Sequence, residues 1–243
     1  MVSRAALLHR IPERVVAGRD ALLERGWLSG MPRDFQEALL SIAIWRTATP
    51  GETITLAGDE DGGLVGIAAG TVEVSALSGH PDARFVHLAH AGFWAGYRPL
   101  IGKPRNLSLT ARTHVLWILA PRRAMEQMLA EQPCHWRHIL ELSDFAYETA
   151  LQVMVDLTRH NGLVRVAATL LRLAGCRDRD AGPGSDIEIR VPQADIAALA
   201  VMSRNTPGAY LGELGERGLV EAGYRTIRIL DPARLRAVVE AEE

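Results

Sequence analysis

The spacing of apolar positions changes along the chain, and each change predicts a different kind of element. Over roughly the first forty-five residues apolar side chains recur at helical intervals. They do so in PERVVAGRDALLERGWL and again in RDFQEALLSIAIW, with a turn at Ser29-Gly30-Met31-Pro32 between the two runs. Short helices forming a lead-in, rather than a domain, are expected there. From Arg46 to about Ala120 the pattern shifts to short runs cut by Gly, Pro and Asp. Val72 and Val74 alternate with Thr71 and Glu73, and turn signals recur every eight to twelve residues. This predicts an antiparallel barrel or sandwich of about seventy-five residues, with the glycines of DEDGGLVG at its corners.

Helical spacing returns after Pro121, first in RRAMEQMLAEQ and then, past Pro133, in about twenty-five residues ending near His160. Within that second run Trp136, Leu140, Ser143, Tyr147, Ala150, Met154 and Leu157 recur at alternating steps of four and three. That is the 3.5-residue period of a seam between two helices, so a dimer helix is predicted. Leu142, Phe145 and Val153 fall off the stripe and are left to pack on the chain's own β domain. Asn161-Gly162 interrupts the helix, LVRVAATLLRLAGC begins another, and RDRDAGPGSD reads as a loop. Beyond it come a short strand in IEIRV, a helix from about Gln193 to Ala200, a tight turn, and a second helix beginning at Ser203. A hairpin of Gly218–Glu221 and Thr226–Leu230 closes the series. Strand, helix, turn, helix and hairpin in that order describe a winged helix-turn-helix. The fold class expected is α+β: lead-in helices and an antiparallel β domain in residues 1–132, a long dimerisation helix in 133–161, and a winged helix-turn-helix in 162–243.

Composition narrows the function. With 243 residues, 48% apolar and 23% charged, the chain can bury one sizeable core or two smaller ones. No apolar run approaches the roughly eighteen residues a membrane span needs. The N-terminus MVSRAALLHRIPERVV has basic residues breaking its apolar run and no small-residue cleavage site, so a cytoplasmic protein without membrane contact is expected. Cys134 and Cys176 stand far apart and outside any CxxC, which suggests neither a disulfide framework nor a structural zinc. His87 with His90, and His135 with His138, have spacing that could bring imidazoles together, but neither pair has an evident third ligand. The sequence offers no GxSxG, HExxH, Walker loop or GxGxxG in its proper context, so no enzyme is predicted. A net charge of −2 excludes an indiscriminate nucleic-acid binder. Any DNA surface must come from local placement of Arg204, Arg225 and Arg228. Lys103 is the single lysine, and Arg suits bidentate recognition.

The second helix of the predicted helix-turn-helix carries suitable chemistry. Ser203 is a good N-cap, leaving Arg204 and Asn205 in the first turn. Arg can grip guanine O6 and N7, and Asn adenine N6 and N7, in the major groove. Thr206, and Gln193 at the start of the preceding helix, suit phosphates, while Arg225 and Arg228 on the hairpin suit flanking backbone. Against this, Val201 sits where such turns favour a left-handed backbone, so a distorted turn is expected. Pro207 falls at the fourth position of the reading helix, and Gly208 and Ala209 supply no long third reader. Those departures and the acidic balance leave open a ligand-binding or protein-interaction module that kept the shape and lost DNA affinity.

Five segments in order resemble the Crp/Fnr family of transcription regulators. PGETI with AGDEDGGLVGIAAGTVEV is similar to the first half of the family's cyclic-nucleotide-binding β-roll, AGFWAGY to its PGxWFGE segment, and GKPRNLS to its phosphate segment. LTRHNGLVRVAATLLRLAG resembles the hinge and first helix of its DNA-binding domain, and VPQADIAALAVMSRNT with LxxLxxRGLV its helix-turn-helix. The resemblance implies a homodimer with double-stranded DNA and RNA polymerase as partners. It also implies a small-molecule or nucleotide effector site at Gly96, Tyr97, Arg105 and Ser108. Arg105 keeps the phosphate role there with Ser108 beside it, but Tyr97 stands where members that bind cyclic AMP have a carboxylate for the ribose. A phenol is the poorer acceptor. Cyclic AMP, another anion or metabolite, and an empty roll all remain open as the sensor's state. No Cys precedes Cys134, so the cysteine cluster of the family's iron–sulfur sensors is absent.

Overall fold

The computed structural model describes residues 11–77, 83–177 and 187–241. The chain packs as two compact units, residues 1–147 and 148–243. Most of the loop expected at 177–186 lies outside the described residues.

In the first unit α1 (Ile11–Glu24), a 3-10 turn (Trp27–Gly30) and α2 (Arg33–Ser41) precede, among the described residues, eight strands. These are β1 (Ile44–Ala48), β2 (Thr53–Thr55), β3 (Gly63–Ala69), β4 (Val72–Ala76), β5 (Arg84–Ala89), β6 (Trp94–Ala95), β7 (Leu107–Ala111) and β8 (Val115–Pro121). They form two antiparallel sheets, ordered β1-β8-β3-β6 and β2-β7-β4-β5. The central strands of the first sheet are buried on both faces, which is why LVGIAA and VLWILA are almost unbroken apolar runs. Alternation sorts their side chains. Val65, Ile67, Val115 and Trp117 face the second sheet. Leu64, Ala68, Leu116, Ile118 and Ala120 join a second core with the helices.

The lead-in is part of that second core. Leu22, Leu28, Phe35 and Leu39 are fully buried, each contributing about 1.5–3 kcal/mol relative to exposure. The Trp27 indole stacks edge-on to Phe35 and Trp94 and donates to the His138 carbonyl at 3.1 Å. One expectation is corrected here: the helical run does not continue through Ile44 and Trp45. α2 stops at Ser41, and β1 already pairs with β8 from Ile44 opposite Leu119. β-branched and aromatic residues fit the waiting sheet edge better than another helical turn.

After α3 (Arg122–Glu131), α4 (Trp136–Thr158) crosses the division between the units. The second unit continues with α5 (Gly162–Leu173), β9 (Ile187–Ile189), α6 (Gln193–Leu199), α7 (Thr206–Glu216), β10 (Val220–Gly223), β11 (Thr226–Ile229) and α8 (Pro232–Glu240). Its antiparallel sheet is ordered β10-β11-β9, and nearly every residue of α5 is buried at its centre. α8 is an element the sequence reading passed over. Asp231 caps it by accepting the Arg234 N–H, Pro232 opens it, and Leu235 and Val239 are buried where it packs on α5.

Candidate nucleic-acid interface and effector site

α6, a turn and α7 form the helix-turn-helix. Val201 in the turn has φ 49°, so the left-handed position expected there is present and is filled by an exposed β-branched residue. The start of the reading helix differs from expectation. α7 begins at Thr206, not Ser203, and Asn205 is its N-cap residue without a side-chain capping bond. Pro207 explains this. A helix capped by Ser203 would close its first turn from the N–H of residue 207 onto the Ser203 carbonyl, and proline has none. The Thr206 N–H closes the turn on that carbonyl instead, at 3.0 Å, and the Ser203 and Thr206 hydroxyls bond to each other.

Ser203, Arg204 and Asn205 are therefore exposed on a tight turn leading into α7. Among the described residues Arg204 has no ion pair. Gln193 opens α6, and its Oε1 lies 3.4 Å from where a Cβ on Gly208 would stand. The absent side chain at Gly208 leaves room for the Gln193 amide beside α7. Arg225 and Arg228 are exposed on the wing, where Arg228 pairs with Glu221 at 3.1 Å. Arg225 has φ 58°, and its neighbour Tyr224, which the sequence reading missed, is 91% exposed. The signal was available: two residues between paired Gly223 and Thr226 form the tip of a hairpin.

On α4, Trp136, Leu140, Tyr147 and Met154 are all exposed large apolar side chains on the predicted stripe. Ser143 and Leu157 are half-buried and Ala150 exposed. Leu142 packs into the β-roll's helical core as expected, joined by Ile139. Phe145 does not follow it; it is 42% exposed, and Val155 is exposed as well.

Of the residues expected at the effector site, Gly96 lies against Arg105, which is buried and donates from Nη2 to the Gly63 carbonyl at 2.6 Å. Gly62 and Gly96, with φ 138° and 98°, cradle the guanidinium, which would collide with a Cβ at either position. Gly62 thus makes room for the arginine, while Gly63 clears the neighbouring backbone at Ala120 and Arg122. Burial lowers the Arg105 pKa from its ordinary value, and Asp59 offsets part of that. Ser108 Oγ accepts the Ala57 N–H at 2.9 Å, tying down the loop after β2. Tyr97 is half-buried against the helical core. His135 and His138, 6.0 Å apart between ring centroids, pack against Phe35. Among the described residues no group of three or more His, Cys, Asp or Glu could hold a metal ion.

A two-sheet roll with a buried arginine, followed by a helix-turn-helix with a wing, defines a class of protein that joins a sensor-type fold to a DNA-binding-type fold. Residues 45–132 match the cyclic nucleotide-binding domain and residues 164–238 the Crp-like helix-turn-helix domain. The chain belongs to the Crp/Fnr family of transcriptional regulators, which is not a family of enzymes. No curated protein matches it. In fold it is similar to a candidate cyclic nucleotide binding protein from Ruegeria pomeroyi DSS-3 (21% identity, TM-score 0.66, covering 93% of this chain and 98% of that one). It is similar also to a CRP/FNR family transcriptional regulator from Thermus thermophilus (21%, 0.56, 82% and 100%). A third is the c-di-GMP responsive global regulator CLP of Xanthomonas campestris (20%, 0.58, 82% and 100%). No helix among the described residues is long and apolar enough to cross a membrane.

Proposed function

We propose that this chain is a cytoplasmic, homodimeric, sequence-specific DNA-binding regulator whose β-roll does not respond to cyclic AMP. The observation that carries the DNA reading is the exposed Arg204-Asn205 pair at the start of α7, within a complete winged helix-turn-helix. Arg204 would read guanine and Asn205 adenine in the major groove, with Gln193, Ser203, Thr206, Arg225 and Arg228 on the phosphates. The exposed stripe of α4 supplies the dimer that sets two readers about 34–36 Å apart. RNA polymerase is the further partner the family implies.

Three features support insensitivity to cyclic AMP. The Arg105 guanidinium is engaged by the Gly63 carbonyl beside an anion the site already owns, Asp59. The Ser108 Oγ already accepts the Ala57 N–H, and the Tyr97 ring packs half-buried against the helical core. Binding to fragmented genomic DNA at two salt concentrations tests the first half of the proposal. Specific sites with a salt-steepened affinity are expected, and Arg204→Ala should relax the preference at one base per half-site. An unchanged site preference in that variant would sink the assignment. Titration calorimetry with cyclic AMP tests the second half, with no heat of binding expected.

A further inference from the structure

Asn161-Gly162 separates the dimer helix from the reader in sequence, and its neighbourhood is tightly bonded. Asn161 caps α5, its Oδ1 accepting the Leu163 N–H at 2.9 Å. Gly162 does not adopt the left-handed backbone that would justify a glycine as a joint. It is buried, and a Cβ there would strike the ring and hydroxyl of Tyr210 from the middle of α7. The glycine thus serves close packing of the reading helix against the start of α5.

Arg165 lies one turn further on. Its Nη1 donates to the carbonyls of Arg159 at 2.7 Å and His160 at 3.3 Å, just beyond the end of α4. Its Nε donates to the Ala200 carbonyl at 3.1 Å, the C-cap of α6 immediately before Val201. One guanidinium therefore bonds the C-terminal ends of two helices, where unpaired carbonyls and the negative pole of each helix favour a cation. The planar fork holds both at once, which a lysine ammonium does with less directional control. Below this bracket, buried Asp156 of α4 accepts from Arg177 at 3.1 Å and Arg172 at 3.5 Å.

We infer that Arg165 is a positioning residue, joining the end of the dimer helix and the helix-turn-helix into one rigid piece with Asn161-Gly162 as its fixed corner. Movement of the last turn of α4 then carries the reading helix with it, and the spacing between the two readers of a dimer is set without slack. This rests on the proposed dimeric DNA reading.

The test uses the full-length chain and two independent readouts. In hydrogen–deuterium exchange of the free protein, Arg165→Gln should accelerate segments 157–162 and 198–204 together by tenfold or more, with Arg165→Lys intermediate. On palindromes with varied half-site spacing, wild type should discriminate between spacings at least tenfold. Arg165→Gln should discriminate less than threefold, with affinity for a single half-site unchanged. Gly162→Ala, which raises helix propensity while displacing Tyr210, should lose spacing discrimination in the same way. Retained discrimination in both variants, or exchange that rises at only one segment, would overturn the inference. Failure of wild type to bind any DNA specifically would instead overturn the DNA reading, and the exchange experiment still decides the bracket.

Discussion

Val201 holds φ 49° with a β-branched side chain 68% exposed, so its strain has no packing to offset it. A left-handed backbone costs an L-residue roughly 1–2 kcal/mol, more with branching at Cβ and less for Asn. Val201→Asn should therefore stabilise the protein by about 0.5–1 kcal/mol, read as a higher denaturant midpoint. Val201→Gly should gain less, because glycine adds freedom to the unfolded chain. His90 offers a test against pH. The side chain is half-buried, Nδ1 lies 3.3 Å from Thr71 Oγ1, and the buried Nε2 has no partner among the described residues. Burial lowers its pKa from 6.5, so below that pH the unfolded chain binds a proton the folded chain refuses. The His90 contribution is complete above about pH 6.5 and falls as pH drops toward the lowered value. His90→Gln should flatten the loss of stability between pH 6.5 and 5 in parallel urea titrations; an unaltered slope would refute it.

At the scale of elements, α4 tests the dimer. Leu140 and Met154 are 70% and 63% exposed on one stripe, whereas Ile139 and Leu142 on another face hold the helix to its own roll. Leu140→Glu with Met154→Glu should shift the protein to monomer in sedimentation, lowering the intrinsic unfolding free energy of the protomer by no more than about 0.5 kcal/mol per site once the association term is separated, since exposed sites carry little folding energy. α4 also shows what the sequence disclosed and why. A stripe at 3.5-residue period is a property of one helix, so a single stretch of sequence discloses it. The resemblance added the β-roll where periodicity leaves barrel and sandwich open. The start of α7 was misplaced because a cap at Ser203 and a proline at 207 compete, and the missing N–H decides in favour of the later start. Arg165, Tyr210 and the cradle of Arg105 were not legible. Each acts on backbone carbonyls or glycines distant in sequence, and such targets have no residue type to betray them.

For the whole molecule the decisive quantity is charge. With a net −2, this chain has no general attraction to DNA, so salt dependence must come from a few arginines in each reader. Of the two on the wing, Arg228 is paired with Glu221 in an exposed bridge worth little to stability. That pairing halves the wing's effective charge and places a carboxylate on the same hairpin. Two to three phosphates neutralised per reader gives about four to six for a dimer, and a log–log salt slope of roughly −4 to −5. Glu221→Gln should remove the hairpin carboxylate facing Arg228, steepening the slope by up to about 2 per dimer and tightening binding at low salt, with stability nearly unchanged. Fluorescence anisotropy on a selected operator between 50 and about 200 mM salt measures both. A slope identical to wild type would mean that the wing stands clear of the phosphates, leaving Arg204, Asn205 and the starts of α6 and α7 to carry the whole interface.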